Sequence, residues 1–119
     1  MKELLLTYDI GTTGAKAVLF KKDATIVGSK YKQYETYYPK PGWVEHDPIQ
    51  IWENTKSVIS QALETANVTG EKLAAIGITN QRETVLVWDK TSGKPFFNAI
   101  VWQCTRTQNI CNELITCDK

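Results

Sequence analysis

The chain is poor in the residues that mark metal, redox and secreted proteins. Among 119 residues there is one histidine, His46, and there are three cysteines. Cys104, Cys111 and Cys117 show no C-x-x-C spacing, and a single histidine to join them argues against a zinc site. An odd cysteine count behind a start with no signal-like pattern suits a reducing compartment, so the expected location is cytoplasmic. Long apolar runs are missing too, and nothing approaches the ~18 residues that a membrane span requires. Charge of one sign is also lacking: 14 basic against 13 acidic residues leave a net charge of +1, which implies no charge-driven partner such as nucleic acid or a membrane surface. Lys30, Lys32 and Lys40 lie among Tyr31, Tyr34, Tyr37 and Tyr38, a mixture able to stack on single-stranded nucleic acid, but the spacing also fits a strand with a wet face. There is neither a Walker-type phosphate loop nor a persuasive Ser/His/Asp arrangement.

What is present begins with a strand, Leu4-Leu5-Leu6, that runs into Asp9-Ile10-Gly11-Thr12-Thr13-Gly14-Ala15-Lys16 and resumes as Ala17-Val18-Leu19-Phe20. This reads as a hairpin whose loop handles phosphate. Gly11 and Gly14 permit positive φ and close approach of backbone N–H groups to an anion, Thr12 and Thr13 add hydroxyls, and Lys16 adds charge. Asp9 ends the first strand, where its carboxylate suits Mg²⁺ or a metal-bound water. An ordinary hairpin with a solvated lysine fits the same residues.

Thr25 to Glu35 offers a third strand and completes a β-meander. Pro39 and Pro41 break the ladder and deliver Trp43 and Val44. Asp47 as N-cap, Pro48 in the first turn and Gln50 three residues after the cap predict a helix over roughly 48–65, with Trp52, Ile59, Leu63 and Ala66 along its packing face. Leu73 to Thr79 reads as a buried central strand, so the helix between is a crossover to a parallel neighbour. Further strands are expected at Thr84 to Asp89 and Ala99 to Trp102, with a turn at Thr91-Ser92-Gly93 between them. A last helix is expected from near Thr105 or Thr107, carrying Ile110 and Leu114. The sum is an incomplete α/β domain with a mixed sheet.

Thr79-Asn80-Gln81-Arg82-Glu83 falls at the carboxyl end of the apolar strand, where open α/β sheets place ligands. Arg82 donates and Glu83 accepts, a pair able to satisfy a vicinal diol, though an adjacent solvated pair reads equally well. Trp102 presents a flat face to the carbon side of a small polyol, or belongs to the core. Trp43, Trp52 and Trp88 are assigned core or rim places, and His46 a surface or capping place.

Four segments carry a resemblance beyond this chemistry: Asp9-Ile10-Gly11-Thr12-Thr13, the run from Tyr38 to Pro48, the run from Ile76 to Thr84, and Asn98-Ala99-Ile100-Val101-Trp102-Gln103-Cys104. Together they resemble the N-terminal part of the glycerol kinases within the FGGY family of carbohydrate kinases. The resemblance implies a ribonuclease-H-like fold of the actin and hexokinase type, with residues 1–119 as part of its N-terminal domain and the second lobe absent. It implies ATP and Mg²⁺ as cofactors and transfer of the γ-phosphoryl group to glycerol, giving glycerol 3-phosphate. Gly11, Thr12, Thr13 and Lys16 are then the ATP phosphate ligands, Asp9 the metal ligand, and Arg82, Glu83 and Trp102 the glycerol pocket. The general-base aspartate falls in the missing part, the 119-residue piece is expected to be inactive, and the complete enzyme is expected to be a homo-oligomer. The first loop departs from the pattern: Ile10, Gly14-Ala15 and Lys16 stand where glycerol kinases usually carry Gln, Ser-Ser and Arg, which is closer to xylulose-type relatives. A kinase for another polyol or ketose, and a non-catalytic interaction module, are the alternatives.

Overall fold

In a computed structural model that describes residues 1–117, the first three strands form the expected meander. Strand β1 (Leu4–Ile10) pairs antiparallel with β2 (Gly14–Phe20), and β2 with β3 (Ile26–Gln33). Helix α1 (Pro48–Thr65) follows, and a single 3₁₀ turn (Gly70–Lys72) leads to β6 (Leu73–Thr79), which pairs parallel with β1. The sheet order β3-β2-β1-β6 is therefore mixed, with α1 as its crossover. A second, small antiparallel sheet joins β4 (Thr36–Tyr37), β5 (Glu45–His46) and β7 (Ala99–Ile100). Helix α2 (Gln108–Cys117) begins slightly later than the sequence suggests.

The core lies between α1 and one face of the sheet. Leu6, Ala15, Ala17 and Leu19 alternate along β1 and β2 toward Val58 and Ala62 of the helix. Fully burying a side chain such as Val58 or Leu19 contributes about 1.5–3 kcal/mol each. The helix is close enough to β3 that a β-carbon on Gly28 would press directly on the Ala62 carbonyl. Asp47 caps α1 as expected, its Oδ1 accepting from Ile49 N at 2.8 Å. Gln50, by contrast, does not complete a capping box: its Oε1 accepts from Glu35 N and ties the helix start to the end of the meander.

Several expectations are corrected. Trp52 is 58% exposed and lies off the packing face, which runs through Asn54, Thr55, Val58 and Ala62, with Ile59, Leu63 and Ala66 at its border. β6 is an edge strand among the described residues, not a buried central one, and Ile76 and Ile78 are exposed because α1 covers β1, β2 and β3 instead. The expected strand at Thr84 to Asp89 reduces to isolated bridges, Val85 with Ile100 and Trp88 with Pro95. The next expected strand shortens to Ala99–Ile100 because Trp102 and Gln103 already turn. Asp89 fastens the intervening turn, its carboxylate accepting from Thr91 N and Ser92 Oγ, and Gly93 takes the positive φ of 70° that the turn requires. Ile110 and Leu114 are exposed on α2.

Candidate functional site

The carboxyl ends of β1 and β6 point the same way because the two strands are parallel, and the loops leaving them face each other. Between them lies an open cavity of about 420 Å³ lined by Gly11, Thr12, Asn80, Gln81, Arg82, Glu83 and Trp102. The structure thus gathers the polar pair Arg82 and Glu83, the indole of Trp102 and the first two loop residues, Gly11 and Thr12, the latter 90 positions from Trp102. Trp102 Nε1 donates to Thr12 Oγ1 at 2.9 Å, fixing the ring against the loop while leaving one side of it exposed. Arg82 and Glu83 are exposed with no ion pair between them, so both retain hydrogen-bonding capacity for a ligand. Glu83, in the turn after β6, holds a φ of +66°, a left-handed conformation that costs a non-glycine residue about 1–3 kcal/mol.

The hairpin loop works differently from the reading based on glycine flexibility. Neither Gly11 nor Gly14 adopts positive φ. Gly11 N donates to Gly14 O at 3.0 Å and is spent on the turn, while Gly14 is required by crowding: a β-carbon there would lie 2.5 Å from Lys32 O and 2.7 Å from the Tyr31 ring. The free donors come from the two threonines. Thr12 Oγ1 accepts from Trp102 and Thr13 Oγ1 accepts from Tyr31 Oη at 3.1 Å, so each hydroxyl hydrogen is left to donate. Their backbone amides have no partner among the described residues. Four donors on two adjacent residues suit an anion.

Asp9 and Lys16 are opposite each other in the β1–β2 register and point to the sheet face away from α1. There they line a neighbouring cavity of about 440 Å³ with Thr7, Val18, Gly77 and Thr79. The Asp9 carboxylate flanks Gly11, its Oδ1 3.6 Å from where a β-carbon on that glycine would sit. The eight singled-out residues therefore do not form one ring. Gly11, Thr12, Arg82, Glu83 and Trp102 share one cavity, Asp9 and Lys16 share the next, and Thr13 is turned toward β3. The described residues include no cluster of three or more His, Cys, Asp or Glu able to hold a metal by themselves. A lone carboxylate such as Asp9 is compatible with Mg²⁺, which is commonly bound through one or two carboxylates plus substrate phosphates.

His46 is not on the surface and caps nothing. It is 1% exposed, with Nε2 3.1 Å from Thr36 Oγ1 and Nδ1 3.2 Å from Gln81 Nε2, and burial lowers its pKa from the ordinary histidine value. Gln81 and His46 are residues whose structural place the sequence did not reveal; the only signal was the polar Gln81 placed directly behind an apolar strand. A second missed group is Arg106. It pairs with Glu45 at 2.7 Å and stacks over Trp43 at 3.8 Å, anchoring the turn that carries Trp102 to β5. Its Nε also donates to Cys104 Sγ; partial burial pushes that thiol up, but the Arg106 bonds outweigh it and leave it below its ordinary value. Trp52 and Trp88 flank a shallow apolar cavity with Leu86 and Pro95 at the rim of the fold.

A mixed sheet with a crossover helix thus carries a polar cavity at its carboxyl strand ends, the place where open α/β sheets hold ligands. The chain belongs to the FGGY family of carbohydrate kinases: the model of that family's N-terminal domain matches residues 4–118. Among curated relatives, the glycerol kinase of Carboxydothermus hydrogenoformans is 55% identical over 113 residues, covering 95% of this chain and 23% of that protein. The glycerol kinase of Alkaliphilus metalliredigens is 52% identical over 114 residues, covering 96% of this chain and 23% of the relative. Among solved structures, the Plasmodium falciparum glycerol kinase with ADP matches at 37% identity with a TM-score of 0.83, over 93% of this chain and 22% of that one. Xylulose kinase from Rhodospirillum rubrum matches at 27% identity, also with a TM-score of 0.83, over 95% of this chain and 23% of that one. The chain spans under a quarter of the length of these relatives. No helix among the described residues is long and apolar enough to cross a membrane.

Proposed function

We propose that this chain is the N-terminal portion of an ATP-dependent glycerol kinase, which transfers the γ-phosphoryl group of ATP to a terminal hydroxyl of glycerol to give glycerol 3-phosphate. The observation that carries this reading is the convergence of Arg82, Glu83 and Trp102 with Gly11 and Thr12 around one cavity. Arg82 donates to and Glu83 accepts from neighbouring hydroxyls, and Trp102 covers the carbon chain. The free hydroxyls and amides of Thr12 and Thr13 hold phosphate oxygens, Gly11 keeps the approach open, and Lys16 supplies the positive charge. Asp9 holds Mg²⁺, which when bound neutralises charge on the phosphates. The Thr12 donors suit phosphate oxygens from one cavity, and the Asp9 carboxylate suits Mg²⁺ from the neighbouring one.

Phosphoryl transfer needs positioning and charge stabilisation from both sides of a cleft. The general base is assigned to a part of the protein beyond this chain, and the 119 residues alone are inactive. The complete protein is a cytoplasmic homo-oligomer. A kinase for a ketose such as xylulose is the second reading, favoured by the sequence of the first loop and by the likeness to a solved xylulose kinase. Steady-state phosphorylation by the intact protein of glycerol against xylulose decides between them. A higher kcat/KM for glycerol supports the first reading, a higher one for xylulose the second, and activity on neither overturns both.

A further inference from the structure

The phosphate-side loop and the polyol-side loop are joined by one side chain. Gln81 Nε2 donates one hydrogen to Gly11 O at 2.9 Å and directs the other at His46 Nδ1, 3.2 Å away, while its Oε1 accepts from Thr84 Oγ1 at 3.1 Å. The carbonyl of Gly11 can only accept, which fixes the amide with its nitrogen toward the loop. The nitrogen then has a hydrogen facing Nδ1, so Nδ1 accepts and the imidazole proton sits on Nε2, donating to Thr36 Oγ1. Each group in this chain has one compatible arrangement, and the ring is neutral.

We infer that His46 and Gln81 act as a positioning clamp for the proposed kinase site: buried His46 sets the Gln81 amide, and Gln81 fixes the spacing between Gly11-Thr12 and Arg82-Glu83. His46 does not line the cavity, so it acts only through Gln81. The clamp also holds the segment in which Glu83 keeps its positive φ. Protonation of Nδ1 places two donors face to face and opens it. The titratable group facing the ring from outside its own strand is Tyr34, 5.5 Å between centroids, whose phenol burial pushes up and keeps neutral; from β7 comes only Ala99. On the histidine's own segment Glu45 is engaged by Arg106 and Asp47 caps α1.

The clamp rests on the glycerol kinase reading for its kinetic test. In the intact protein, His46→Leu raises KM for glycerol about tenfold or more, in keeping with the cost of small misplacements around a reacting centre. His46→Asn keeps an acceptor for Gln81 and restores KM to within about twofold of the natural protein. Direct contact of Gln81 with substrate predicts no such dependence on a buried histidine, so natural KM values in both His46 variants overturn the clamp. If the natural protein does not phosphorylate glycerol, the function reading fails, and the clamp is read instead by ¹⁵N shifts of His46, assigned against His46→Asn. A neutral ring with its proton on Nε2, becoming imidazolium at neutral pH in Gln81→Glu, supports the clamp. A ring with its proton on Nδ1 in the natural protein overturns it.

Discussion

Replacing Arg82 separates recognition from stability because of where the guanidinium lies. It is exposed at the cavity and forms no hydrogen bond or ion pair among the described residues, so truncation removes nothing that supports the fold. Exposed substitutions of that kind fall within about 0.5 kcal/mol of neutral. A charge-assisted hydrogen bond to a substrate hydroxyl is worth about 1.5–3 kcal/mol. At about 1.4 kcal/mol per factor of ten, Arg82→Ala in the intact protein lowers kcat/KM for glycerol by roughly 10- to 150-fold. Arg82→Lys keeps the charge without the planar fork and falls between the two. The assay is ADP release with glycerol varied at saturating ATP, paired with a thermal melt of each variant. A kcat/KM within about twofold of the natural protein, at unchanged Tm, removes Arg82 from the site. A marked fall in Tm refutes the structural premise that the side chain supports nothing.

Three other perturbations test different parts of the structure. Lys16→Ala, on the neighbouring cavity, is expected to raise KM for ATP while leaving KM for glycerol unchanged, measured by varying each substrate in turn; a change confined to glycerol contradicts the split between the two cavities. Gly28→Ala drives a methyl into the Ala62 carbonyl, a backbone group that cannot swing aside, and is expected to cost about 1–3 kcal/mol in urea unfolding. His46 binds its proton less readily folded than unfolded, where its value is 6.5, so its contribution to stability is fully present above that pH and is lost as the pH falls toward the lower folded value. The melting temperature therefore drops between neutral and mildly acidic pH, and His46→Asn flattens that drop; an identical slope in the variant shows that the ring titrates normally.

Local pattern was enough to determine the meander, the capped helix over Pro48–Thr65 and the carboxyl-end placement of Arg82 and Glu83. Alternation, an N-cap with a following proline, and an apolar run ending in polar residues each report on the backbone within a few positions. The motifs also carried the resemblance to FGGY kinases, since the segments that bear it are contiguous. Tertiary structure alone decided the rest. Leu73–Thr79 has the composition of a strand buried on both sides, but exposure depends on what packs against it, and α1 spends its apolar face on β1, β2 and β3. Thr84 to Asp89 alternates like a strand yet finds only isolated partners, because ladder pairing requires a second segment in register. His46 sits next to a helix cap in sequence and in the interior in space, since its partners lie 10 and 35 positions away. Burial, register and hydrogen-bond partnership are properties of pairs of distant residues, which a pattern along one segment does not contain.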